Sequence, residues 1–310
     1  MTNSSIQMKR QYALHSGFTL IEVAIVLLIV TILLGYSVAM FPVQQELKKY
    51  RKVNVEIDYI IEQLIAFAQI NGRLPCPDTS GLADGGGDNS VIDGLEDSDD
   101  GYDAADLSDA YVDDFDGVVD GVVDGCRGYY GFVPARTLGL NGDIDGTGHL
   151  LDPWGQAYRY HVADINTDGN GDGDDTAGDS GKGSDFVSPN GIREEGIQEY
   201  STPPANTLLF ICDNNTAASG ADDTDCTDTT GGATVVSNVA AVIISTGKDA
   251  GNVASNIQAE NLDDFHNGKN DLVYISARRN DSTGAVYDDV VKWISPNQLI
   301  SKMIAANQLP

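Results

Sequence analysis

An almost unbroken apolar run from Phe18 to Phe41 constrains this chain more than any other feature. Its 24 residues would form a helix about 36 Å long at 1.5 Å per residue, enough to cross a bilayer with some tilt. A single charge interrupts it. Glu22 lies five residues into the run, where a carboxylate at membrane depth costs about 2.5–3.5 kcal/mol on insertion scales. Hydrophobicity alone explains an anchor but not that glutamate, so its placement calls for a partner.

The residues around the charge read Gly17-Phe18-Thr19-Leu20-Ile21-Glu22, preceded by a short polar leader carrying Lys9 and Arg10. This hexapeptide, with its basic leader and apolar helix, resembles the processing motif of type IV pilins and type II secretion pseudopilins. The resemblance implies that residues 1–17 are a leader removed by a prepilin peptidase. The cut would fall between Gly17 and Phe18, and Phe18 would become N-methylated. It implies that Glu22 pairs with the terminal amine of a neighbouring subunit, which sets the register of assembly. A carboxylate buried without a partner costs several kcal/mol. Before assembly the subunit would be single-pass in the bacterial inner membrane. The basic leader predicts a cytoplasmic N-terminus, with the head in the periplasm. Its partners would be copies of itself, other pilin-like subunits, the prepilin peptidase and an inner-membrane assembly platform.

Beyond the transmembrane and assembly segment (18–42), an amphipathic stretch covers residues 43–72. Tyr50, Val53, Ile57, Ile60, Leu64 and Phe67 recur at spacings of three and four, one stripe of a helix. Lys48, Lys49, Arg51 and Lys52 make a basic collar at its start, suited to lipid headgroups or to acidic neighbours in a filament. Gly35 and Pro42 are candidate points of local melting. Asn71-Gly72 with Pro75 and Pro77 stops the helix.

Residues 73–310 form an exported head. Strands are expected at Tyr158–Val162, Thr207–Cys212, Val239–Thr246, Asp271–Ala277 and Ala285–Ile294. A C-terminal helix is expected after Ser295-Pro296, with Leu299, Ile300, Met303 and Ile304 on its apolar face. The fold class is therefore α+β: a long N-terminal helix, membrane-spanning in its first half, packed on a small antiparallel sheet. The Asp152-Pro153-Trp154-Gly155 turn before the first of these strands resembles the head of the major pseudopilin. That resemblance implies a calcium site near the final strands, around Asp249–Asp271.

Charge is extreme, with 47 acidic against 18 basic residues, a net −29 that becomes −31 without the leader. Such a chain is no nucleic-acid binder, because phosphate affinity comes from Lys and Arg. Self-repulsion on this scale invites divalent counter-ions. The acid concentrates in Asp/Gly-rich insertions at about 78–128, 164–185 and 213–232. Asp164-x-Asn166-x-Asp168-Gly169-Asn170-x-Asp172-x-x-Asp175 places oxygen side chains at the spacing of a calcium loop, with glycine at its sixth position. Asn141-x-Asp143-x-Asp145-Gly146-x-x-His149-x-x-Asp152 is a weaker version, because His149 is a poor calcium ligand. A solvated acidic loop, or a plain turn at Asp152, explains the same residues without a cation.

Four cysteines in an exported head favour disulfides. Cys76–Cys126 and Cys212–Cys226 each bracket one acidic insertion, and no Cys-x-x-Cys spacing suggests zinc. Gly-x-Ser-x-Gly, Walker and His-Glu-x-x-His patterns are all missing from the sequence. Ser245-Thr246-Gly247-Lys248 reads as a strand-ending turn. The expected role is structural: a subunit of a type II secretion pseudopilus or type IV pilus-like filament. The alternative is a minor type IV pilin displaying a calcium-dependent adhesion or binding head.

Overall fold

The computed structural model describes residues 19–79, 94–99, 125–126, 129–163, 186–187, 192, 209–213, 226, 233–248, 258, 260–262, 272–280 and 287–309. The side chains of 37–41, 98, 99, 125 and 260 are not described. Helix α1 runs over Leu20–Asn71. It continues through Gly35 and Pro42, the two positions where melting was expected. Proline mid-helix removes one hydrogen-bond donor without forbidding the helix on either side. By its contacts the chain divides into two units, Met1–Tyr50 and Arg51–Pro310.

In the first unit the described side chains of residues 20–36 are exposed, from Leu20 and Ile21 to Leu34 and Tyr36. Among the described residues, no helix is long and apolar enough to cross a membrane. Within the apolar run, side chains are described from Thr19 to Tyr36.

In the second unit the stripe read from the sequence is the buried one. Val53, Ile57, Ile60, Leu64 and Ala68 are fully buried, with Phe67 at the margin. They share a core with Tyr160, Ile243, Ile294, Leu299 and Met303. A four-stranded antiparallel sheet supplies much of it. Its order is β11 (Val290–Ile294), β9 (Ala241–Ser245), β6 (Arg159–Val162), β3 (Tyr130–Phe132). Strand β9 is interior and entirely buried, which is why its sequence is apolar at every position save Ser245. A second sheet has the order β10 (Val273–Ile275), β7 (Leu209–Cys212), β8 (Thr234–Val239). Its β10–β7 pair is parallel, the one departure from antiparallel pairing among the described ladders. The chain passes from β8 into β9 at Ala240, whose N–H donates to Ile294 O.

Two short ladders complete the fold, β1 (Ser98–Asp99) with β2 (Gly125–Cys126), and β4 (Asp143–Ile144) with β5 (Leu150–Leu151). Strand β3 was not expected. It forms by antiparallel pairing with β6, Tyr130 opposite His161 and Phe132 opposite Arg159, and on its other side Asp78 bridges to Phe132 in both directions, at 2.9 and 2.7 Å. Gly131 permits that approach, since a Cβ there would lie 2.4 Å from Asp78 O. Helix α2 (Pro296–Ala305) starts as expected: Ser295 is its N-cap and accepts from the Gln298 N–H. It buries Leu299, Ile300 and Met303, whereas Ile304 is exposed. The expected apolar face was therefore one residue too wide. Past its end, Gln308 Nε2 donates to Gln69 O and Ile70 O, serving otherwise orphaned carbonyls of α1.

Candidate functional site

The N-terminal candidate begins where α1 begins. Thr19 precedes the first helical residue, and its Oγ1 accepts from the Glu22 N–H at 3.3 Å. Thr19 O accepts from the N–H groups of Glu22 and Val23. Thr19 thus acts as N-cap, and Thr19-x-x-Glu22 has the sequence of a capping box. A carboxylate in the first turn also complements the positive end of the helix dipole. Glu22 is exposed, and so are the apolar side chains that follow it. Gly17 and Phe18 lie outside the described residues.

The cysteines are bonded as Cys76–Cys126, 50 residues apart, and Cys212–Cys226, 14 apart. The first bond belongs to a dense clamp. Arg73 pairs with both oxygens of Glu96, at 2.8 and 3.1 Å, and the Cys76 N–H donates to Glu96 Oε2. Thr79 N–H and Oγ1 both donate to Asp97 Oδ2. Together with the β1–β2 ladder, these contacts fix the two ends of the stretch 100–124. Sequence reading found the cysteines but missed Arg73 and Glu96, two isolated charges separated by 23 positions.

The weaker calcium pattern is a β-hairpin. Asn141 and Asp143 are exposed, and Asp143 stands on β4 opposite Leu151. Asp145 Oδ1 accepts from the Thr147 and His149 N–H groups and from Thr147 Oγ1. Burial opposes ionisation of Asp145, but the Thr147 hydroxyl and these N–H groups outweigh it and hold the carboxyl below its usual range. Asp152 Oδ1 accepts from the Trp154 and Gln156 N–H groups, and its Oδ2 from the Ser245 hydroxyl at 2.6 Å. These carboxylates organise turns, and the structure does not gather the four side chains round one point. Among the described residues, no group of three or more His, Cys, Asp or Glu could hold a metal ion. His149 is buried, stacked on Phe132 at 4.0 Å, and 3.6 Å from Asp78 Oδ2. Burial lowers its pKa. Residues Asp164, Asn166, Asp168, Asn170, Asp172 and Asp175 lie outside the described residues, as does most of 249–271.

A polar cluster that sequence reading missed sits before β11. Asp288 and Asp289 are both buried. Gln258 Nε2 donates to Asp288 Oδ1 at 2.6 Å, and Asn261 Nδ2 to Asp289 Oδ2 at 2.8 Å. The Lys248 N–H donates to Asp288 Oδ2. Asn261 also exchanges hydrogen bonds with both backbone groups of Ile275. Gly247 is required here, because its φ is +66° and a Cβ would strike the Asp288 carboxylate at 2.6 Å. The Ser245–Lys248 stretch therefore ends β9 and folds over an acid pair. The pair brings the end of β9, the Glu260–Leu262 turn, β10 and the start of β11 together.

Comparison with known proteins gives one positive finding. Residues 13–37 match the prokaryotic N-terminal methylation motif. No curated protein and no solved structure matches the chain. In general the motif implies processing by prepilin peptidase and assembly into filaments with other pilins, and in type IV pilins a membrane-anchored N-terminus. The chain thus carries, over residues 13–37, the hallmark of type IV pilins and pseudopilins, and that motif supports a type IV pilin-like or pseudopilin subunit.

Proposed function

We propose that the protein is a structural, non-catalytic subunit of a type II secretion pseudopilus or a type IV pilus-like filament. The carrying observation is the methylation motif at 13–37, with Glu22 in the first turn of a helix whose described apolar residues, Leu20 to Tyr36, stand exposed. An all-round apolar helix needs an apolar environment on every side. In this reading, lipid surrounds residues 18–42 before assembly, and neighbouring helices surround them afterwards. The leader is cut between Gly17 and Phe18, and Glu22 pairs with a neighbour's terminal amine. The test is Glu22→Ala. Mature chain of correct mass with N-methylated Phe18, but filament yield down by tenfold or more, supports the reading. Wild-type filament yield removes it.

A second reading rests on the clamped ends of the acidic stretch 100–124, a mounting suited to display. Here the head is that of a minor type IV pilin with calcium at Asp164–Asp175. Calcium that binds only the folded chain raises its stability by about 2.7 kcal/mol at a hundredfold excess over Kd. An unchanged melting temperature on chelation rejects it. Loss of secreted proteins in a deletion strain favours the pseudopilus; loss of adhesion or twitching favours the pilus.

A further inference from the structure

An asparagine followed by glycine is chemically exposed, because glycine has no Cβ to keep its own nitrogen away from the amide ahead of it. The sequence holds five Asn-Gly pairs, and the described residues include two of them, Asn71-Gly72 and Asn141-Gly142. Each follows a branched aliphatic residue, Ile70 or Leu140. Their settings are opposite. Asn71 ends α1, where its Nδ2 donates to Phe67 O at 3.0 Å and the Gly72 N–H donates to Ala68 O at 2.9 Å. Gly72 is buried. Both reacting groups of that pair are occupied.

Asn141 and Gly142 are both exposed, directly ahead of β4. The Asp145 N–H donates to His149 O at 3.1 Å. That bond fixes the alternation of the β4–β5 ladder: Asp143 and Asp145 bond toward the partner strand, and the backbone groups of Gly142 and Ile144 face away. Neither the Gly142 N–H nor the Asn141 side chain has a hydrogen-bond partner among the described residues. Solvent therefore reaches the nitrogen that must lose a proton and the amide that must be attacked.

We propose that Asn141 is a self-modification site of the folded chain, converting to aspartate and isoaspartate through a succinimide closed by the Gly142 nitrogen. That nitrogen gives its proton to water and attacks Asn141 Cγ. The N–Cγ bond forms, the Cγ–Nδ2 bond breaks, and the side-chain nitrogen leaves as ammonia. Water then opens the ring. Cleavage at the Cγ carbonyl gives aspartate, and cleavage at the main-chain carbonyl of residue 141 gives isoaspartate. Either product adds a negative charge beside Asp143 and Asp145. Isoaspartate also adds a methylene to the backbone, next to a glycine packed so closely that a Cβ on it would lie 2.5 Å from Leu150 Cδ1. Leu150 belongs to the buried core, so the strain of that product falls on the hairpin. The site does not depend on the filament reading.

The test ages the detergent-solubilised full-length chain at mildly alkaline pH in heavy-oxygen water. Mass spectrometry then follows the peptides covering the two pairs. Asn141 should convert roughly tenfold faster than Asn71 or more, because Asn71 must first open two hydrogen bonds. Heavy oxygen should enter with each conversion, and chromatography should resolve isoaspartate among the products. In denaturant the two rates should converge. Asn141→Gln, whose attack needs a larger ring, should silence the site. Equal rates in the folded chain overturn the proposal. A folded chain that keeps Asn141 intact while the denatured chain converts it does the same. So does a difference that persists in denaturant, since flanking sequence rather than the fold would then set it.

Discussion

The two stretches of α1 hold similar residues in opposite surroundings. Between Leu20 and Leu34 the large apolar side chains are exposed on every face. Between Val53 and Ala68 those on one stripe are fully buried against strands and α2. The difference lies in patterning. The first stretch has one charge in its first turn and no polar face. The second interleaves Arg51, Lys52, Glu56, Asp58 and Glu62 with its apolar residues, so that only one side faces the core. The second stretch thus gains its stability from tertiary contacts within the chain. The described side chains of the first stretch have no such burial.

That contrast breaks most severely at the disulfide just beyond the second stretch. Cys76→Ser with Cys126→Ser opens a link spanning 50 residues. Chain entropy assigns such a link about 4 kcal/mol. Cys212→Ser with Cys226→Ser opens one spanning 14 residues, worth about 3 kcal/mol on the same argument. Chemical denaturation of the detergent-solubilised chain should rank the two in that order. Amide exchange over residues 53–68 should accelerate in both, while residues 20–36 in detergent stay unchanged.

Next in size is a direct swap between the stretches. Leu64→Ala removes a fully buried side chain and should cost about 2–5 kcal/mol, the range for leucine truncated in a core. Leu27→Ala, at an exposed position, should leave denaturation of the head unaltered and show its effect on filament yield instead. Equal effects of the two on head stability would abolish the comparison.

The buried stripe was legible because its period is local, and the Ser295-Pro296 helix start for the same reason. The cysteines were legible because each pair brackets one acidic stretch. Strand β3 was not, because Tyr130-Gly131-Phe132 has no alternation of its own and becomes a strand only by pairing with β6 on one side and bridging to Asp78 on the other. The 141–152 pattern is ambiguous for a chemical reason. A carboxylate is an acceptor, and backbone N–H groups at Thr147, His149, Trp154 and Gln156 present themselves to Asp145 and Asp152 as a cation would. Spacing alone does not separate the two. The Asp288–Asp289 cluster joins residues about thirty positions apart, and no short pattern announces it.

A pH series sharpens the comparison within the head. His161 is buried in β6 and meets the Tyr274 hydroxyl across to the second sheet. Burial lowers its pKa from 6.5 to about 3. The unfolded chain takes up a proton near pH 6.5, whereas the folded chain does so only near pH 3. The stability that comes from keeping His161 neutral is therefore complete above about pH 6.5 and drains away as pH falls toward 3. The wild-type melting temperature should fall more steeply between pH 6.5 and 4.5 than that of His161→Gln, since acidic side chains elsewhere are common to both. Parallel curves would mean that His161 charges in place.

The smallest effect reads the seam where the second stretch meets its sheet. The Tyr158 hydroxyl donates to Glu56 Oε2 at 2.8 Å, and burial with the Glu56 hydrogen bond pushes the phenol pKa up. Glu56 also holds Lys52. Tyr158→Phe deletes the donor, keeps the ring, and leaves Glu56 partly solvated, so the loss should be about 1 kcal/mol. Glu56→Gln keeps an acceptor for the phenol and removes only the Lys52 ion pair. Lys52 is exposed and Glu56 only half-buried, so solvent screens the pair and the change should cost less than the phenylalanine. If Glu56→Gln cost more, the charge of Glu56 rather than its hydrogen bond would fasten the helix, and the packing account of the second stretch would need revision.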